Sequence, residues 1–148
     1  MPDYTYAKGR IAETIQFISK EMKEFEDDYA ALAWEDYQRD SKMQKVVDRT
    51  VENVLNALVE LCGTLLAEEG KTSENYAETL RAAAATLGFR PEQAKELAKL
   101  ASHRNRLVHR YLNMKWQAIK AYQEQSALIA ELLQAVLDRE SKRVRSPL

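Results

Sequence analysis

Two kinds of side chain that could do chemistry together are concentrated in one short stretch. Residues 97–123 hold Lys99, Arg104, Arg106, Arg110, Lys115 and Lys120 without one Asp or Glu. Both histidines of the chain, His103 and His109, fall in the same stretch. That is +6 over 27 residues in a chain of net charge −1, so the remainder sums to −7. A basic patch inside an acidic protein points to a phosphate-bearing ligand rather than to general adhesion to nucleic acid. Imidazole titrates near neutrality and can move a proton. Guanidinium can hold the charge that develops on a phosphate. Together they suffice for metal-free cleavage of RNA, whose ribose 2′-hydroxyl is an internal nucleophile. DNA lacks that hydroxyl and would not be cut this way. The competing expectation is a solvated basic face that pairs with residues 21–40, where eight Asp and Glu stand against Lys23 and Arg39.

Other chemistries find no support. The basic stretch has no spaced carboxylate pair, and the chain has no metal-ligand cluster and no Gly-rich phosphate loop. The single cysteine, Cys62, excludes an intramolecular disulfide and a multi-Cys zinc site. It lies on an apolar stripe with no histidine in its own segment, so it reads as core. His103 reads as a surface or interface residue.

The segment that must position Arg104 and His109 is PEQAKELAKLASHRNRLVHRY, a helix opened by Pro91 in the favoured first turn and running to about Arg110. At about 100° per residue, Leu97, Leu100, Ala101, Leu107, Val108 and Tyr111 fall within about 60° of Arg104. Arg104 thus sits in the middle of the apolar stripe. A guanidinium cannot shed its charge and is costly to bury unpaired. It must face a carboxylate, a subunit interface or an anionic ligand, unless its stem merely snorkels or it pairs with an acid on another helix. His109 lies about 140° away on a regular helix. Either the helix loosens before His109, or a working site draws the two side chains from two copies of the chain. Asn105 and His109 share a face, as do Arg106 and Arg110.

The rest of the chain supplies the scaffold. Ala, Glu, Lys, Leu and Arg make up 75 of 148 residues, the composition of long helices. Four glycines and three prolines are too few for the turns of a β-sandwich. Ile11, Ile15, Ile18, Met22, Phe25 and Tyr29 mark one helix, with a connection expected near Tyr29–Asp40. A long helix over residues 41–69 carries Val47, Val51, Val54, Leu58, Leu61 and Leu65. Val46, Leu55, Cys62 and Leu66 widen its stripe. Gly63 allows close helix approach, and Gly70 is a natural stop. Ser73 is a candidate N-cap for a third helix bearing Tyr76, Leu80, Ala83 and Leu87 and ending at Gly88. A last helix, from about Lys115 to Arg143, shows Ile119, Tyr122, Ile129, Leu133 and Val136. The expectation is one all-α domain over residues 1–148, an up-and-down bundle of four to five helices, with residues 142–148 frayed. No apolar run approaches a membrane span, and MPDYTYAKGR lacks a signal-peptide core. No membrane partner and a cytoplasmic location are therefore the defaults.

Arg104-Asn105-Arg106-Leu107-Val108-His109-Arg110-Tyr111 is an R-x4-H-x-Y string with Asn directly after the Arg. It resembles the motif of HEPN-domain proteins, specifically the HepT-like toxins of HepT/MntA toxin–antitoxin pairs. The length, the helical bundle and the late motif followed by one long helix extend the resemblance over the whole chain. The resemblance implies a metal-independent ribonuclease that works as a homodimer, with no cofactor, in which the motif helices of two subunits meet at a cleft. It implies catalytic roles for His109 as general acid/base and Arg104 on the scissile phosphate. Asn105 would orient groups there, and Arg106 and Arg110 would add to RNA binding. It further implies an MntA-like nucleotidyltransferase antitoxin that silences the toxin by AMPylation of Tyr111, since AMP adds bulk and negative charge where RNA phosphates must sit. Arg110 fills a position that is small or neutral in many relatives, and no acid follows the motif in Leu112–Lys115. The alternative is a non-catalytic bundle that helps a nucleotidyltransferase bind its substrate. A third reading, a purely structural dimer, requires Arg104 to be neutralised by an acid of its own subunit.

Overall fold

Six helices account for nearly all of the backbone in a computed structural model, which describes the backbone of residues 2–145 and the side chains of residues 9–143. They are α1 (Pro2–Tyr29), α2 (Trp34–Arg39), α3 (Ser41–Glu68), α4 (Tyr76–Thr86), α5 (Pro91–Arg106) and α6 (Leu112–Arg145). The all-α expectation holds, and among the described residues there is no strand. The helix count exceeds the expected four to five because α2 is only six residues long, too short to show a helical period.

The core is built from the stripes that the sequence shows. α1 buries Ile11, Ile15, Ile18 and Phe25, and α6 buries Ile119, Tyr122, Ile129, Leu133 and Val136. α3 is the central element and contacts every other helix class, burying eleven of its residues from Val47 to Leu66. Each fully buried Leu or Val contributes about 1.5–3 kcal/mol, so this stripe dominates the bundle's stability. Val46 departs from the expected stripe and is half exposed. By length and composition α3 could cross a membrane, yet 56% of its most apolar window is buried against the other helices, as in a core helix.

Side-chain contacts fix the directions. Asn53 Nδ2 donates to Glu21 Oε1 at 2.8 Å, and Glu13 and Phe17 lie by Asn56 and Glu60, so α1 and α3 are antiparallel. Lys115 pairs with Asp48 near the start of α3, and Arg139 with Glu68 near its end, so α3 and α6 run parallel. α1, α3, α5 and α6 thus form an up-and-down core, with α4 laid against α3 and α5 and α2 closing one end.

Local chemistry sets the boundaries. Asp40 caps α3 by accepting from the amides of Lys42 and Met43. Gly70, at φ 68°, stops it, with the Lys71 amide donating back to Leu66 O at 2.8 Å. Asn75, not Ser73, caps α4 by accepting from the Glu78 amide, while Ser73 bonds the Thr79 hydroxyl at 2.6 Å. Gly63 does not mark a forced approach, since a Cβ there would meet Thr79 Cγ2 only at 4.0 Å. α6 stays helical through Arg145, past the start of the expected frayed tail; residues 146–148 lie outside the described residues.

Candidate functional site

The turn between α5 and α6 carries the motif, and its shape follows from where α5 stops. The helix ends at Arg106, four residues earlier than the periodicity implies. The chain then tightens: the Val108 amide donates to Asn105 O at 3.4 Å and the His109 amide to Arg106 O at 3.2 Å. α6 restarts at Leu112, where the Tyr111 carbonyl accepts from Met114 and Lys115. His109, Arg110 and Tyr111 therefore sit on an exposed turn, not on a helical face. Of the six apolar residues expected around Arg104, Leu97, Leu100, Ala101 and Leu107 are buried. Val108 and Tyr111 are 74% and 59% exposed, because the helix no longer directs them inward.

A buried network holds this turn from below. Tyr37 of α2 is fully buried and donates its hydroxyl to Asp48 Oδ1 at 2.6 Å. Lys115, four residues past Tyr111, approaches the other oxygen of Asp48 at 3.4 Å. Burial raises the Asp48 carboxyl above its usual range, against the Tyr37 hydrogen bond and the Lys115 charge, which lower it. The Trp116 ring packs 5.2 Å from Tyr37 and 5.9 Å from Trp34. The first turn of α6 is thus pinned to α2 and α3, which anchors the motif turn at its α6 end.

Arg104 lies half-buried in the last turn of α5. Its Nε donates to Asn56 Oδ1 of α3, and its guanidinium carbon sits 4.7 Å from the centre of the Tyr76 ring, at the start of α4. Neither partner carries a charge. Among the described residues Arg104 has no carboxylate within 4.0 Å and no hydrogen bond from its two terminal nitrogens. The requirement for a neutralising acid in its own subunit is therefore not met. A guanidinium that is held in place yet keeps its charge and its outer fork of N–H groups is suited to an anion such as phosphate.

The other motif residues divide into two groups. The His109 and Tyr111 rings stack at 6.5 Å with 23° between their planes. No hydrogen bond or ring contact joins this pair to Arg104 within the chain. Arg106 lies back on α5 with Nη1 3.2 Å from His103 Nδ1. A guanidinium can only donate, so Nδ1 accepts in this contact; burial first, and the Arg106 charge second, lower the His103 pKa. Asn105 and Arg110 are exposed.

The surrounding charge is cationic because few of its members are paired. Of the six cations in residues 97–123, Lys99 pairs with Glu96 and Lys115 with Asp48. Lys120 lies 5.3 Å over Trp116, and Arg104 and Arg106 meet neutral groups. The acidic stretch 21–40 supplies none of these partners, contrary to the solvated-face expectation; its Lys23 pairs with Asp27 instead. Among the described residues no group of three or more His, Cys, Asp or Glu is placed to hold a metal ion. Cys62 is buried, and burial pushes its thiol up to about 12, as a core residue requires.

Asn56 and Tyr76 are the two residues at this site that the motif does not announce. Asn56 is 48 residues from Arg104, and no spacing rule connects them. Tyr76 looked like the first apolar residue of a core stripe, but it is 49% exposed. A family model described as "Ribonuclease HepT-like" matches residues 15–136, which take in every residue named at this site. No curated protein matches the chain.

Proposed function

The chain belongs to the HepT-like ribonuclease family, and from that premise we propose that it is a metal-independent endoribonuclease toxin whose site is built on Arg104 and His109. The observation that carries this reading is the state of Arg104: positioned by Asn56 and Tyr76, and neutralised by neither. In the reaction the ribose 2′-oxygen bonds to phosphorus as the bond to the 5′-oxygen breaks. The 2′-hydroxyl proton passes to a base, and the departing 5′-oxygen takes up a proton. The products are a 2′,3′-cyclic phosphate and a free 5′-hydroxyl. Arg104 holds the negative charge of the phosphate through its terminal N–H groups. His109, exposed on its turn, moves the proton. Asn105 orients groups at the phosphate, and Arg106 and Arg110 add positive potential along the RNA.

The site works in a homodimer. No contact joins Arg104 to His109 within one chain, so two copies meeting at their motif turns would supply the paired Arg and His of one cleft. Two imidazoles would also provide both a base and an acid. Regulation follows the same geometry. Tyr111 is 59% exposed and its ring stacks on His109, which leaves it open to a nucleotidyltransferase antitoxin of the MntA kind. AMP attached there would set a phosphate beside the residue that moves the proton, opposing the approach of RNA.

The test uses one RNA oligonucleotide and its copies carrying a single 2′-deoxyribose at each position in turn. The expected result is loss of cleavage only when the deoxyribose precedes the scissile bond, with a cyclic phosphate on the 5′ product. Cleavage of the fully deoxy oligonucleotide at a similar rate would overturn the internal-nucleophile mechanism.

A further inference from the structure

Neither the cap of α4 nor the core uses Tyr76. It is the first residue of α4, and the helix is capped without it, through Asn75 and the Glu78 amide. The α4 core contacts are made by Thr79, Leu80, Ala83 and Ala84, while the Tyr76 ring stays 49% exposed. The ring instead meets Arg104, whose guanidinium lies 4.7 Å from the ring centre. A cation over one part of an aromatic ring polarises it and fixes its plane. The residue is still 49% exposed with the guanidinium in place, beside the N–H fork that would receive a phosphate.

From this juxtaposition we propose that Tyr76 is a nucleobase platform, on which a base of single-stranded RNA stacks while the adjoining phosphate sits on Arg104. The inference rests on the ribonuclease reading and adds to it a binding residue outside the motif. Unstacked bases of single-stranded RNA are commonly received on aromatic side chains, and such stacking tolerates any base because each presents a π-face. The platform therefore selects single-stranded over duplex RNA, whose bases are already stacked. It also ties phosphate position to base position: Asn56 holds Arg104, Arg104 holds the Tyr76 ring, and a nucleotide touching both is registered at the site.

The experiment measures binding of a fluorescein-labelled single-stranded RNA 20-mer to the full chain carrying His109→Ala, which prevents cutting. Tyr76→Phe, Tyr76→Ala and Arg104→Ala are added separately, and each protein's melting curve and oligomeric state are recorded. The same RNA is also made with one abasic site at each position in turn. Tyr76→Phe should bind within about twofold of its parent, and Tyr76→Ala should weaken binding on the order of tenfold. At one or two positions the abasic site should cost the parent a similar factor and cost the Tyr76→Ala protein nothing more. Equal binding by Tyr76→Ala, or abasic losses that multiply with it at every position, would overturn the platform while Arg104→Ala still weakened binding. A change of oligomeric state in Tyr76→Ala with no abasic coupling would overturn it too, making Tyr76 an interface residue. If the parent bound no RNA and Arg104→Ala changed nothing, the ribonuclease reading itself would fail and take the platform with it.

Discussion

Asn56→Asp puts the claim about Arg104 under direct pressure. The substitution keeps the shape of the side chain and replaces a neutral amide by a carboxylate against the Arg104 Nε–H. Two unit charges about 4 Å apart attract by about 4 kcal/mol at an effective dielectric near 20. Arg104 is only half-buried, and both groups give up hydration, so the net gain to the folded state is about 1–2 kcal/mol. The same carboxylate opposes a phosphate on the far side of the guanidinium. If about 1.4–2.8 kcal/mol of transition-state stabilisation is lost in this way, kcat/KM falls by about 10- to 100-fold. Stability and activity should therefore move in opposite directions. Urea unfolding should give an unchanged or higher midpoint, and cleavage of a labelled RNA should slow at least tenfold. Asn56→Ala is the companion measurement. It removes one hydrogen bond from a half-exposed group, costs about 0.5–1.5 kcal/mol of stability, and leaves the charge of Arg104 free, so it should slow cleavage less than Asn56→Asp. A folded Asn56→Asp protein that cleaves as fast as its parent would refute the reasoning, because the phosphate could not then depend on an unneutralised Arg104.

Two further outcomes follow from groups beneath the turn. His103 has a folded pKa below its ordinary value of 6.5, so the unfolded chain binds its proton more readily. Stability should therefore fall as pH drops through 6.5 toward the folded value, and His103→Gln should flatten this slope in urea melts at pH 7.5 and 5.5; an identical slope in the variant would contradict the assignment. Tyr37→Phe removes the hydroxyl that donates to Asp48 and leaves that carboxylate with Lys115 alone. It should cost about 1–3 kcal/mol in unfolding free energy, and a midpoint equal to the parent's would show that the network does not anchor α6.

Much of the bundle could be read from the sequence because its helices carry regular apolar stripes. Ile11, Ile15, Ile18 and Phe25 are buried as their spacing requires, and Gly70 and Gly88 stop their helices at positive φ. What escaped is what periodicity does not encode. α2 is too short to repeat, and its contribution, Tyr37 under the motif turn, comes from a tertiary hydrogen bond to Asp48. The stripe through Leu107, Val108 and Tyr111 continued on paper past the end of the helix. After Arg106 the backbone tightens into i→i+3 bonds, and the 100° rule no longer says where a side chain points. The displacement of His109 from Arg104 is legible in the sequence; the helix does loosen after Arg106, yet no contact joins the two side chains within the chain. At the site, the motif named Arg104 and His109 but not the groups that hold Arg104. An Asn and a half-exposed Tyr leave no pattern; only the packing of α3 and α4 against α5 brings them together.

The most direct test of the account is RNA cleavage in EDTA by the purified chain, with Arg104→Ala and His109→Ala purified identically beside it. Mass spectrometry first establishes that Tyr111 carries no AMP. The account predicts that the parent cuts single-stranded RNA and that both variants are folded and inactive, His109→Ala with an unchanged melting curve and Arg104→Ala with no more than the small loss expected from its hydrogen bond to Asn56. Cleavage by His109→Ala at the parent's rate, or a parent that cuts no RNA at all, would contradict it.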